Sequence, residues 1–407
     1  MATVLWGQQS IQEFVSPDLN TVRLHREGWN LAHPIIQLKG NEQLQLSFDE
    51  PGGSVKNYHY SVTLCDANWV ESILMPTEYY TGILVNPILD YSYSFNTTFD
   101  YVHYNLVFPE SENRIMMSGN YVIKVFEDYN EKVPVLIKKF MVVETVASIR
   151  AHIRHTAQSS IRESHQEIQF EVEHKSFDIR NPVNEVTATI IQNGRIDNMI
   201  TGLRPQFYGN GTMDFNYMRE TLMEGGNEFR YVDLRSGRFV VDNVREMQYV
   251  EPFYHAKLST DHSRKTEPYR FRRDLNGRYH IEVREYENYD TEADYFFVHF
   301  RLYSNFAEPS EKVYLNGELT NWMQTPFSEM SYNPLEKCYQ LTLLLKQGYY
   351  NYQYLTVKDG ETKGSLYNFE GNFEQTENDY LILIYYKGVS DRCHRLIGAE
   401  TFNSVGQ

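Results

Sequence analysis

In the stretch Tyr58-His-Tyr-Ser-Val-Thr-Leu-Cys65, every second side chain from Tyr58 to Leu64 is apolar or aromatic, and polar residues stand between them. A period of two fits a pleated strand, whose side chains point alternately to opposite faces, and does not fit a helix. Outward from this stretch the same pattern recurs. Leu44, Leu46 and Phe48 precede it, and Tyr121, Ile123, Val125 and the run 133–143 follow. Further on come Ile168, Phe170 and Val172, then 186–191, 295–303, Val313 with Leu315, 339–345, 349–357 and 380–386. Turn-forming pairs separate these runs, among them Gly52-Gly53, Asn193-Gly194, Asn276-Gly277 and Asp359-Gly360. No amphipathic helical period is sustained for the roughly 12 residues an ordinary helix needs. The predicted fold is all-β, with short antiparallel strands packed as tandem sandwiches.

Two boundaries suggest themselves. Phe140 to Glu144 reads as the last strand of a first domain, before the polar stretch 152–166. The acidic stretch 285–294 is too broken for a core strand. The expected division is therefore 1–145, 146–290 and 291–407, three sandwiches in series. A chain of 407 residues has room for two or three domains.

The composition narrows function. There are 38 Lys and Arg against 54 Asp and Glu, a net charge of -16, which argues against binding nucleic acid by neutralising phosphates. No segment reaches the roughly 18 apolar residues of a spanning helix, so no direct membrane insertion is expected. The 3 cysteines, Cys65, Cys338 and Cys393, lie far apart and imply no disulfide framework. Aromatics are abundant, with 32 Tyr and 23 Phe but only 4 Trp. The opening residues 1–7 carry neither a basic region nor an apolar core of an export signal. On this reading the protein is not exported, or the chain lacks its signal peptide.

Catalytic signatures are missing: no nucleophile elbow, His-Glu-x-x-His, phosphate loop or dinucleotide fingerprint occurs. The expectation is a non-enzyme without catalytic residues, cofactor or metal. Cys65-Asp66 could hold a nucleophile, but its place at the end of an alternating strand suits a buried cysteine. Glu282, Arg284 and Tyr286 read as an ion-paired face. His152, His155 and His165 have ligand spacing only if helical, and their segment is polar and not clearly so. Trp69, with Tyr79 and Tyr80 shortly after, sits in a Pro- and Gly-punctuated stretch where aromatics can anchor a partner; Trp69 could equally be a core residue. Tyr350, Tyr352 and Tyr354 share a strand face and read as packing.

Val313-Tyr-Leu-Asn-Gly-Glu-Leu-Thr-Asn-Trp322 resembles the opening of early-set immunoglobulin-like modules, some of which bind starch or glycogen. The matching residues are Gly317, Glu318 and Trp322. The resemblance implies an immunoglobulin-like sandwich at the C-terminal end. It leaves two roles for Trp322, stacking on a sugar or packing beneath a loop, so a glucan-binding module is the alternative function.

A wider resemblance spans nearly the whole chain. Thr21-Val-Arg-Leu-His25, Leu44-Gln-Leu-Ser-Phe-Asp49 and Tyr58 through Asp66-Ala-Asn-Trp69 are similar to the plug proteins of the Bacteroidota type IX secretion system. So are Tyr91-Ser-Tyr-Ser-Phe-Asn-Thr97, His103-Tyr-Asn-Leu-Val-Phe-Pro109, Ser118-Gly-Asn-Tyr121, Gln192-Asn-Gly-Arg195, Gly226-Asn-Glu-Phe-Arg230 and Lys346-Gln-Gly-Tyr-Tyr-Asn-Tyr-Gln-Tyr354. The resemblance implies a periplasmic protein at the inner face of the outer membrane. It would be a monomer that joins a hetero-complex, binding the large translocon β-barrel and closing its periplasmic mouth when idle. Barrels of that class reach about 36 strands.

Overall fold

The computed structural model describes residues 9–110, 112–238 and 241–405. The opening residues 1–7, read above for an export signal, lie outside these. Strands dominate, and the described helices are single turns.

The first sandwich faces two sheets together. One runs in the order Phe14–Val15, Pro134–Val143, Gly119–Glu127, Tyr58–Cys65, Asn86–Pro87, with Ile35–Gln37 parallel to Pro134–Val143. The other runs Asn20–Arg26, Leu44–Pro51, Tyr101–Phe108, Asp90–Tyr93. The alternation read at 58–64 sends Tyr58, Tyr60, Val62 and Leu64 into the core. Phe48, Tyr58 and Tyr104 pack there with ring centroids 5.0–5.3 Å apart. The intervening residues are covered as well: His59 lies against Tyr129, and Ser61 donates to Glu131 at 2.7 Å.

The second sandwich buries Ile168, Phe170 and Val172 against Ile190, Ile382, Ile384 and Ile397. One of its sheets runs Ile200–Leu203, Val186–Gln192, Asp379–Tyr386, Arg395–Asn403. The last two strands of the chain thus complete the middle sandwich. The third sandwich pairs Arg230–Asp233 and Tyr279–Ile281 with Gly348–Lys358, and packs them against the sheet Val244–Val250, Phe253–Leu258, Tyr295–Tyr303, Cys338–Lys346, Ser331–Asn333.

The sheets therefore do not follow the expected serial division at 290/291. Strands on both sides of that position share sheets, and the third sandwich is inserted within the second. Loop-closure entropy grows only slowly with length, so a strand pairs where its apolar face fits rather than with its nearest neighbour in sequence. The acidic stretch at 285–294 is not a linker; its helix Tyr289–Glu292 leads into the core strand Tyr295–Tyr303.

Polar groups lock the first and third sandwiches together. Asp49, from the first, is fully buried and accepts from Lys346 Nζ and Tyr295 OH, each at 2.6 Å, while His103 Nδ1 lies 2.6 Å from its other oxygen. Lys346 Nζ also donates to the Asp290 carbonyl at 2.6 Å and sits 4.3 Å from the centre of the Tyr101 ring. Burial works against the Asp49 carboxylate, but Lys346 and His103 outweigh it and hold its pKa below the usual range. The first and second sandwiches meet through Met141, Val143, Leu381, Leu383, Tyr385 and Leu396, an apolar seam that also carries the bond from Tyr385 OH to Asn120 Oδ1 at 2.8 Å.

A candidate docking surface on the first sandwich

Segment 82–95 crosses the open side of the first sandwich, from the edge of one sheet to the edge of the other. It starts at Gly82, whose φ of +103° favours glycine; a Cβ there would lie 2.2 Å from Asn113 Oδ1. Asn113 Oδ1 accepts from the Ile83 N–H at 3.0 Å, and Asn86 Nδ2 donates to the Ile83 carbonyl at 2.7 Å. The two asparagines bond each other at 3.3 Å and are buried. Asn86–Pro87 then pairs with His59 and Tyr60, and Ile88 N–H donates to the Tyr58 carbonyl at 2.8 Å. Finally Asp90–Tyr93 pairs with Tyr101–Phe108 as the edge strand of the other sheet.

The segment is thus pinned by its backbone and by buried Ile88, yet most of its apolar side chains face water. Ile83, Leu84, Leu89, Tyr91, Tyr93 and Phe95 are all exposed, Leu89 to 78%. Ile73 and Met75, just before the helix Pro76–Tyr79, are exposed too. So is Met116, whose N–H donates to the Tyr79 carbonyl at 2.8 Å. Single exposed apolar residues are ordinary; a run of them on one rigid segment marks an interaction site. The free side of Asp90–Tyr93 adds backbone donors and acceptors that an extended strand could pair.

The aromatics expected at a partner surface lie beside this strip but not in it. Tyr79 and Tyr80 are 3% and 5% exposed; Tyr79 packs edge-on against Tyr121 with centroids 6.1 Å apart. Buried so, they offer a partner almost no area. Burial also pushes the Tyr80 phenol up to about 12. Trp69 is half-buried against the seam with the second sandwich, with Lys139 Nζ 4.7 Å from its ring centre. Its turn is held by Asp66 Oδ1, which accepts from the Asn68 and Val70 N–H groups at 2.8 and 3.0 Å. The three aromatics thus lie next to the exposed strip, while the exposed side chains of the strip before Leu89 are aliphatic. The signal available in sequence is the aliphatic content of 83–89 among Gly82, Asn86 and Pro87.

The other candidates resolve into packing. Cys65 is buried, and burial pushes its thiol up to about 12, so no thiolate nucleophile forms there. Glu282 pairs with Arg235 and Arg284 with Asp233, both at 2.9 Å. His155 contacts Arg162 at 2.9 Å; His152 and His155 lie on the strand Ser148–His155, and His165 begins the strand paired with it, where His155 stands opposite Gln166. Among the described residues no three or more His, Cys, Asp or Glu side chains are grouped to hold a metal. No helix among them is long and apolar enough to cross a membrane.

Trp322 packs where the second and third sandwiches meet. Its ring lies 6.2 Å from that of Phe229 and fills the space over Gly194 and Gly277. A Cβ at Gly277, where φ is +80°, would stand 2.2 Å from Trp322 Cη2 and 2.5 Å from the Phe229 ring. Gly277→Ala is expected to destabilise the protein by about 3 kcal/mol, through overpacking and the left-handed backbone together. Gly202→Ala, with φ +71° and open space around it, should cost only about 1 kcal/mol. Urea unfolding of the two variants checks the difference; equal costs would mean that Trp322 is not a rigid wedge.

A family model described as the first domain of type 9 secretion system plug proteins matches residues 19–144. Among solved structures, a hypothetical protein from Parabacteroides merdae ATCC 43184 is 34% identical, with a TM-score of 0.94, covering 97% of this chain and 100% of that one. An alkylpurine DNA glycosylase from Pseudomonas fluorescens reaches a TM-score of 0.16 and 10% identity over 30% of each chain, too slight a likeness to carry any argument. No curated protein matches.

Proposed function

This chain belongs to the type IX secretion system plug protein family, and we propose that it closes the periplasmic mouth of that system's outer-membrane translocon when the pore is idle. The observation that carries the reading is one of position: the domain matched by the family model, 19–144, is the domain that presents the exposed apolar strip. Occluding a wide pore needs bulk, rigidity and a complementary face rather than reaction chemistry. Three sandwiches joined by an inserted topology and a buried ionic seam supply the first two. The strip on 73–95 supplies the third, and the net charge of -16 keeps the released body soluble. On this reading the protein works in the periplasm, as one copy in a hetero-complex, and its contact with the translocon is reversible.

The test is co-purification. Affinity-tagged protein, isolated from detergent-solubilised outer membranes, should bring down the translocon barrel, and deleting the gene should admit large antibiotics. Intact bait recovered without the barrel would overturn the proposal.

A further inference from the structure

The outer face of the third sandwich carries a feature that plugging does not use. Lys257, His299 and Thr342 stand abreast on three adjacent strands, since Lys257 is in register with His299 and His299 with Thr342. Arg301 and Gln340 form the next row on the same face, two residues along. Arg245 joins them from the bulge where the register shifts between Val244 and Glu246, the kind of irregularity that re-aims a side chain. Together these residues line a cavity of about 200 Å³ whose wall contains no carboxylate.

The groups are partly neutralised. Glu246, in register with Lys257, accepts from its ammonium through both oxygens at 3.3 Å, and Glu336 accepts from Arg301 at 2.6 Å and from Gln340 Nε2 at 2.8 Å. Arg301 Nε is buried and meets no acceptor, and Arg245 forms no ion pair among the described residues. His299 Nε2 lies 3.0 Å from His255 Nδ1, while its own Nδ1 lies 2.9 Å from Thr342 Oγ1. Burial first, and His255 and Lys257 after it, hold the His299 imidazole below its usual range.

We propose that this cavity binds a phosphate group. Two guanidiniums, an ammonium, a hydroxyl and a carboxamide line this one cavity, a donor set that suits the several oxygens of a tetrahedral anion. The volume holds a phosphate with room to spare, so part of a larger ligand could enter beside it. The inference stands apart from the plug reading, because the cavity lies on a different sandwich from the apolar strip.

Two probes test it, both on the full chain: calorimetric titration with inorganic phosphate, and sedimentation with vesicles containing phosphatidic acid or phosphatidylcholine alone. Saturable phosphate binding is expected, weakened at least about tenfold by Arg245→Ala and again by Thr342→Val, the effect of losing one charge-assisted hydrogen bond. Arg245 is exposed at a bulge, so its variant should fold normally. Sedimentation with phosphatidic acid that free phosphate reverses would identify a lipid headgroup; phosphate binding without sedimentation would identify a soluble phosphoester. No saturable phosphate binding, or binding unchanged in both variants, would overturn the site.

Discussion

Lys346→Met should cost about 3–5 kcal/mol of stability, because it leaves Asp49 charged in a dry seam. Lys346 and Asp49 side chains are each only 1% exposed, so water cannot replace the lost ammonium. Tyr295 OH would remain on Asp49, and His103 would be the group in direct contact able to supply positive charge. The double variant Asp49→Leu, Lys346→Met should recover part of the loss, since it removes the stranded charge while Tyr295 OH keeps Thr21 Oγ1 at 2.7 Å and only His103 loses its acceptor. Urea unfolding of the single and double variants decides the matter. A double variant no better than the single would mean that packing, not charge, holds the seam. The pH dependence has a definite sign. The Asp49 pKa is lowered from 3.8 in the folded chain, so its contribution is fully present above about pH 4 and is lost as the pH falls through the lower folded value. Lys346→Met should remove that acid-side dependence.

The tyrosine content explains both what sequence reading could see and what it could not. Alternation placed Tyr58, Tyr60, Tyr350, Tyr352 and Tyr354 on core faces, and all five are fully buried. What alternation cannot give is the destination of each hydroxyl. Tyr58 OH bonds Glu50, Tyr352 and Tyr354 bond Asp261, Tyr380 bonds Gln166, and Tyr385 bonds Asn120 across the apolar seam between the first and second sandwiches. Apart from Glu50 these partners are remote in sequence, so nothing local announces them. Insertion of the third sandwich escaped for the same reason. Ile382 and Ile384 alternate like any strand, and only their pairing with Ile190 and Ala188, far upstream, reveals the topology. The docking strip failed differently: Tyr79 and Tyr80 looked like contact aromatics, but an adjacent strand pairing turned them inward and left aliphatic neighbours outside.

Those neighbours carry the second large effect. Ile83→Ser, Leu84→Ser and Leu89→Ser combined should weaken capture of the translocon roughly a hundredfold, at about 1 kcal/mol or more for each anchor lost from an interface. The fold should scarcely notice. All three side chains are exposed, Ile83 to 63%, and exposed substitutions of this kind cost within about 0.5 kcal/mol each. The backbone bonds from Asn113 and Asn86 that pin the segment are untouched. That separation of effects makes the experiment informative, because a lost interaction cannot be blamed on unfolding if the urea midpoint is unchanged. Phe207→Ser with Tyr208→Ser is the matching control, since these exposed aromatics sit on the middle sandwich. If the triple variant still brings down the barrel while the control does not, the contact face lies on the second sandwich. The strip would then need another partner, while the plug reading itself would survive.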